Sequence, residues 1–122
     1  MNLVNFLLIL ANTLMLVSGQ FLWKFGLQSK SNVFESFYSV IKLFLSPYVL
    51  SGLFLYGLAT VLWLFILTRV PLSVAYPIQS IAYILAAVGA YFVFGESITV
   101  YKIIGCTFIM IGVAFIGFTS TQ

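Results

Sequence analysis

The chain has no histidine, one cysteine and only seven charged side chains in 122 residues. Each scarcity excludes something. A water-soluble protein of this size needs a charged surface, and 6% charged residues cannot supply one. With no histidine and a single cysteine, neither a metal cluster nor a disulfide framework can be assembled. That cysteine, Cys106, sits inside an apolar run and reads as a small packing residue. The only acids, Glu35 and Glu96, fall outside every apolar run, so no buried carboxylate or imidazole is placed to carry a proton. Nor is there a nucleophile–base pair. No catalytic site, metal, cofactor or nucleic-acid partner is expected.

What the chain does have is apolar bulk, 63% of its residues, gathered into four runs at 3–22, 48–67, 72–94 and 100–118. Between them lie Lys24, Lys30, Glu35, Lys42, Arg69, Glu96 and Lys102. A run of about 20 residues, at ~1.5 Å per helical residue, crosses a ~30 Å hydrocarbon layer. The runs lack the alternation of barrel strands, so four α-helices are expected. The fold predicted is an all-α integral membrane domain spanning 1–122. No Lys or Arg precedes the first run and no small-x-small site follows it, so it reads as a retained span rather than a signal peptide.

Four of the five cations fall in the first and third connections, which the positive-inside rule places in the cytoplasm with both termini outside. Lys24 and Lys102 lie near helix ends, where snorkelling to the headgroups is the simpler reading. The first loop, 25–47, is long. Val33, Phe34, Phe37, Tyr38, Ile41, Phe44 and Leu45 recur at helical spacing within it, predicting an interfacial amphipathic helix over 33–45 that ends at Ser46-Pro47.

Small residues mark close helix approaches. Gly105 and Gly112 lie seven apart in the fourth span, Gly52 and Ala59 repeat that spacing in the second, and Ala82, Ala86 and Ala90 step by four in the third. Packing within one subunit accounts for such stripes in most bundles. Pairing of the fourth helix with a second subunit, through Gly105 and Gly112, is the favoured reading because four short helices hardly enclose a route across the bilayer.

Polar residues within spans cost free energy unless they face a cavity or a partner. Asn5, Asn12, Thr13, Gln20 and Lys24 share a broad face of the first span, with Leu16 at its middle. Tyr76, Gln79, Ser80 and Tyr83 cluster around Pro77, which permits a kink in the third. Trp63 and Thr60 complete the wall. Such amides often only bridge helices, and Trp63 near a span end is commonly a belt anchor. Their convergence also suits a neutral polar headgroup, with a lysine at the mouth to hold a phosphate. Glu96, after Gly95, reads as a cap on the turn into the fourth span.

The stretch 59–118 resembles the drug/metabolite transporter superfamily. The markers are Val70-Pro71-Leu72, Val74-Ala75-Tyr76-Pro77, Gly95-Glu96, Ile104-Gly105 and Ile111-Gly112-Val113, joined by Val17-Ser18-Gly19-Gln20 and Lys24 in the first span. Four spans without duplication resemble its small-multidrug-resistance-like branch, which implies an antiparallel dimer. Where the exporters of that branch carry an essential glutamate, this chain has Leu16; where they carry a tryptophan, it has Gln79. Val61-Leu62-Trp63-Leu64 and Ala75-Tyr76-Pro77 are closer to the aminoarabinose-phosphoundecaprenol flippase subunits.

That resemblance implies transport of a polyprenyl-phosphate-linked sugar across the bacterial plasma membrane, by a homodimer or a heterodimer with a similar four-helix subunit. Gln20, Gln79, Ser80 and Tyr83, with Asn12 and Trp63 in the wall, would meet the sugar. Tyr76 would line the path, and Lys24 with Arg69 would engage the phosphate. Two rivals stand beside it: an exporter of drugs or small metabolites, and a non-transporting scaffold subunit. The scaffold predicts that the polar faces of the first and third spans are buried against each other.

Overall fold

A computed structural model describes residues 3–28 and 35–118. The described residues form helices α1 (Leu3–Gln28), α2 (Phe37–Phe44), α3 (Pro47–Leu67), α4 (Leu72–Gln79), α5 (Ile81–Phe94) and α6 (Val100–Gly117). Four spans are long and apolar enough to cross a membrane: α1, α3, α4 with α5, and α6. The protein is an all-α, multi-pass membrane protein.

Local chemistry sets the boundaries. The Ser36 hydroxyl caps α2 by accepting the Ser39 N–H at 3.1 Å, and Pro47 occupies the first turn of α3, where its missing N–H costs nothing. Gly95, at φ 69°, ends α5 in the left-handed conformation that glycine adopts freely. Thr99 accepts the Lys102 N–H at 3.2 Å and starts α6. Of the predicted 33–45 helix, Phe37–Phe44 is found; Val33 and Phe34, like Lys30, lie outside the described residues.

Two elements differ from expectation. The first helix runs to Gln28 rather than stopping near 22. Its added turns are held by α3: the Trp23 indole N–H donates to the Val49 carbonyl at 3.2 Å, and Gly26 packs against Tyr48 and Val49. The third span breaks at Ser80, three residues beyond Pro77. Pro77 gives the Ser73 carbonyl no N–H, and the chain tightens instead. Ser80 N–H bonds the Pro77 carbonyl, and Tyr83 N–H the Ser80 carbonyl, each at 3.0 Å.

Packing is uneven along the chain. α1 and α3 approach backbone to backbone, where a Cβ built on Gly52 would lie 2.9 Å from the Gly19 carbonyl. Ala59 is buried on the same seam, so the Gly52–Ala59 stripe serves packing inside the subunit. The buried aliphatic cluster, Ile9, Ile66, Val70, Val74, Ala75, Ile78 and Val113, occupies the end of the bundle nearest the α1 N-terminus. At the other end α1 and α5 meet through aromatic rings, with Phe94 4.9 Å from Phe25 and 5.4 Å from Phe21. Within the most apolar stretch of each span, 22% of residues are buried for α1 and α3, but only 6% for the last two spans. That contrast leaves α5 and α6 for lipid or a partner.

Candidate functional site

One face of α1 lines a groove. Leu16, Gln20 and Lys24 follow one another at four-residue steps, so each lies one turn beyond the last. Leu16 and Gln20 face Tyr56 of α3 and Tyr76, Gln79, Ser80 and Tyr83 of the broken third span around a cavity of about 560 Å³. A second cavity of about 460 Å³ continues one turn further along α1, lined by Lys24, Glu96, Lys102 and Cys106. Gln20, Tyr83 and Ala86 border both. The result is one groove with a neutral, hydrogen-bonding section and a charged mouth. Ala82, Ala86 and Ala90 leave space for it rather than sealing a helix contact.

Gln20, Gln79 and Ser80 in the neutral section are each held by a hydrogen bond. The Gln20 amide donates to the Tyr56 hydroxyl at 2.7 Å, and the Tyr56 ring stacks on Trp23 at 4.5 Å. The Gln79 amide donates to Asn12 Oδ1 at 2.7 Å, and Asn12 Nδ2 donates to the Ala59 carbonyl at 2.6 Å. Asn12 is fully buried and borders neither cavity, so it works as a strut behind Gln79. Ser80 Oγ donates to the Pro77 carbonyl. The first and third spans thus touch through Asn12–Gln79 and part to form the groove at Gln20 and Tyr83.

The mouth is ionic. Lys24 Nζ donates to Glu96 Oε2 and lies 5.1 Å from the Phe94 ring centre, within cation–π range. Lys102 Nζ donates to the Ser97 carbonyl at 2.7 Å. The hydrogen bond from Lys24 holds the Glu96 carboxyl below its ordinary pKa; partial burial opposes it, and the charges of Lys24 and Lys102 assist.

The expected site residues therefore divide. Gln20, Tyr76, Gln79, Ser80 and Tyr83 come together, with Lys24 adjoining. Trp63 packs on the aliphatic cluster, its ring 6.5 Å from Tyr76. Arg69 lies at the opposite end, its Nε donating to Asn5 Oδ1 at 2.9 Å. Asn5 and Lys24 are separated by nineteen positions on one helix, roughly 28 Å at ~1.5 Å each. A single phosphate cannot meet both Lys24 and Arg69. Two groove residues were not expected: Tyr56, and Glu96, which pairs with Lys24 rather than merely capping a turn. A topological signal existed for the pair. The first and third spans of an up-and-down chain run in one direction, so residues just beyond their ends share a membrane face.

The profile of the EamA-like transporter family matches residues 2–118, nearly the whole chain. The chain belongs to this family. Similar proteins include the "probable 4-amino-4-deoxy-L-arabinose-phosphoundecaprenol flippase subunit ArnE" of Aeromonas salmonicida. It is 37% identical over 76 residues, 62% of this chain and 66% of that protein. ArnE of Enterobacter sp. (strain 638) is 40% identical over 66 residues, 54% of this chain and 62% of its own length. The like-named subunit ArnF of Shewanella sediminis is 37% identical over 68 residues, 54% of this chain and 47% of its own length. The chain thus spans less than two thirds of the curated relatives it matches. No solved structure matches it.

Proposed function

We propose that this EamA-like chain moves a polyprenyl-phosphate-linked sugar across the bacterial inner membrane. The observation that carries the reading is the continuous groove, whose amide and phenol section meets a mouth with two lysines. The neutral section suits a sugar, which offers hydroxyls to Gln20, Gln79 and Tyr83; the mouth suits the phosphate, near Lys24. Leu16 lines the cavity where a carboxylate would repel such an anion. The relatives named as flippase subunits for an aminoarabinose–phosphoundecaprenol lipid support the same substrate class.

The working unit in this reading is an antiparallel pair, a homodimer or a heterodimer with a similar four-helix subunit. Its support is the open space outside Gly112 and the sparse burial of α5 and α6; Gly105 borders the groove mouth instead. Helix α2 lies in the interface: Phe37, Tyr38, Ile41 and Phe44 are exposed, while Leu43 anchors it against Val49 and Trp23. The lysine-bearing face, with Lys24, Lys42 and Lys102, is cytoplasmic.

Flipping of a labelled polyprenyl-phosphate sugar in proteoliposomes, alone and with a candidate partner subunit, tests this. Gln20→Ala and Lys24→Ala are each expected to slow it by about tenfold, the scale of one lost charge-assisted or buried hydrogen bond. Unchanged flipping in both variants would remove the groove from the transport path.

A further inference from the structure

The Lys24–Glu96 pair sits where the proposed function puts a phosphate. A lysine at the edge of a hydrocarbon layer is costly to leave without a counter-ion, and Glu96 supplies one. Both side chains keep substantial exposure, 46% for Lys24 and 39% for Glu96, so an incoming anion can reach them. Lys102 borders the same mouth. A carboxylate leaving Lys24 therefore still faces a cation. The three groups together carry one net positive charge, which a single monoanion neutralises.

We propose that Glu96 is a specificity-determining residue: it occupies Lys24 in the empty site, yields it to an incoming phosphate, and sets the mouth's charge so that a phosphodiester is preferred to a phosphomonoester. The inference rests on the reading of the mouth as a phosphate subsite. A diester carries one negative charge. A monoester carries about 1.5 to 2 at pH 7 and leaves excess negative charge beside Glu96. A lipid-linked sugar is a diester, and the polyprenyl phosphate left after sugar transfer is a monoester. The device would thus favour loaded over spent carrier.

The test is calorimetric titration of the full-length protein in lipid nanodiscs at pH 8 with dodecyl phosphate and with dodecyl methyl phosphate. Wild type is expected to bind the diester more tightly, because the cost of desolvating a dianion grows faster with charge than its attraction to a mouth of one net positive charge. Removing one carboxylate charge from a partly exposed site changes affinity by about threefold per ligand charge. Glu96→Gln should then tighten the diester about threefold and the dianionic monoester about tenfold, reversing or erasing the preference. Glu96→Asp should retain it. Lys24→Gln should weaken both ligands, the dianionic monoester more than the diester.

Equal changes for the two ligands in Glu96→Gln, no change, or no binding by wild type would each overturn the proposal. Flipping of the lipid-linked sugar with an unmoved ligand ratio would leave the proposed function standing and remove the role of Glu96. A moved ratio without flipping would do the reverse.

Discussion

Two sets of glycines in this chain have the same look in sequence and opposite surroundings in space. On the α1–α3 seam, a Cβ on Gly52 would clash with the Trp23 indole, and one on Gly19 would come 2.9 Å from the Tyr56 ring. On α6, a Cβ on Gly105 or Gly112 would meet nothing within 4 Å. Lipid offers no hydrophobic drive between helices, so close backbone approach is what holds a pair together. The first set is spent inside the subunit. The second leaves space: Gly105 borders the groove mouth, and Gly112 leaves an unoccupied helix face that suits a partner in the proposed pair.

Substitutions can break that comparison from both sides. Gly52→Val should have the largest effect on the subunit itself, about 3 kcal/mol of overpacking, because part of the obstruction is the immovable Gly19 backbone. Thermal unfolding in detergent, or loss of folded yield, measures it. Gly112→Leu should leave that transition where it is and weaken association by about tenfold or more, read by cross-linking or single-molecule subunit counting. If Gly112→Leu destabilises the isolated subunit instead, the outer face of α6 is not free.

The charge map alone disclosed the four spans, because a bilayer tolerates so few ionised groups that their positions mark its edges. It could not disclose where helices outlast the apolar run. α1 continues through Lys24 to Gln28 because α3 offers Gly26 and Trp23 a surface, and that is a tertiary fact. Pro77 announced a break, yet the turn fell at Ser80, whose N–H and hydroxyl both turn back to the Pro77 carbonyl. In the groove, Gln20, Gln79 and Tyr83 were legible as polar residues in an apolar setting. Depth was not legible. Asn12 looks the same in sequence as Gln79, but it is buried behind it. Tyr56 was hidden among apolar neighbours as an ordinary span aromatic.

That difference in depth gives a prediction of intermediate size. Asn12→Ala removes both the bond to the Ala59 carbonyl and the support of Gln79, and should cost about 1 kcal/mol, within the range of interhelical bonds in membranes. Arg69→Ala, which loses an exposed bond to Asn5 at the far end, should cost less than about 0.5 kcal/mol. Paired unfolding curves test the ordering. Equal costs would mean that the Asn12 network does not brace the groove.

The two charged ends also differ in what acid does to them. At one end Lys24 holds an ionisable partner, Glu96; at the other Arg69 holds an amide, Asn5. The hydrogen bond from Lys24 lowers the Glu96 pKa in the folded protein. A carboxyl with a depressed folded pKa stabilises the fold above its unfolded value and loses that contribution as pH falls through the folded one. The melting temperature of wild type should therefore exceed that of Glu96→Gln at neutral pH. The gap should close as pH drops below the ordinary glutamate range, where protonated Glu96 releases Lys24. The corresponding gap for Arg69→Gln should stay flat over that range, because its partner Asn5 is an amide and not a carboxyl. The effect is expected to be small, since both members of the Lys24 pair are partly exposed, but its pH dependence separates the two ends. A Glu96→Gln gap that persists unchanged in acid would show that Glu96 stabilises the mouth by packing rather than by charge, and would leave Lys24 without the counter-ion that an incoming phosphate has to replace.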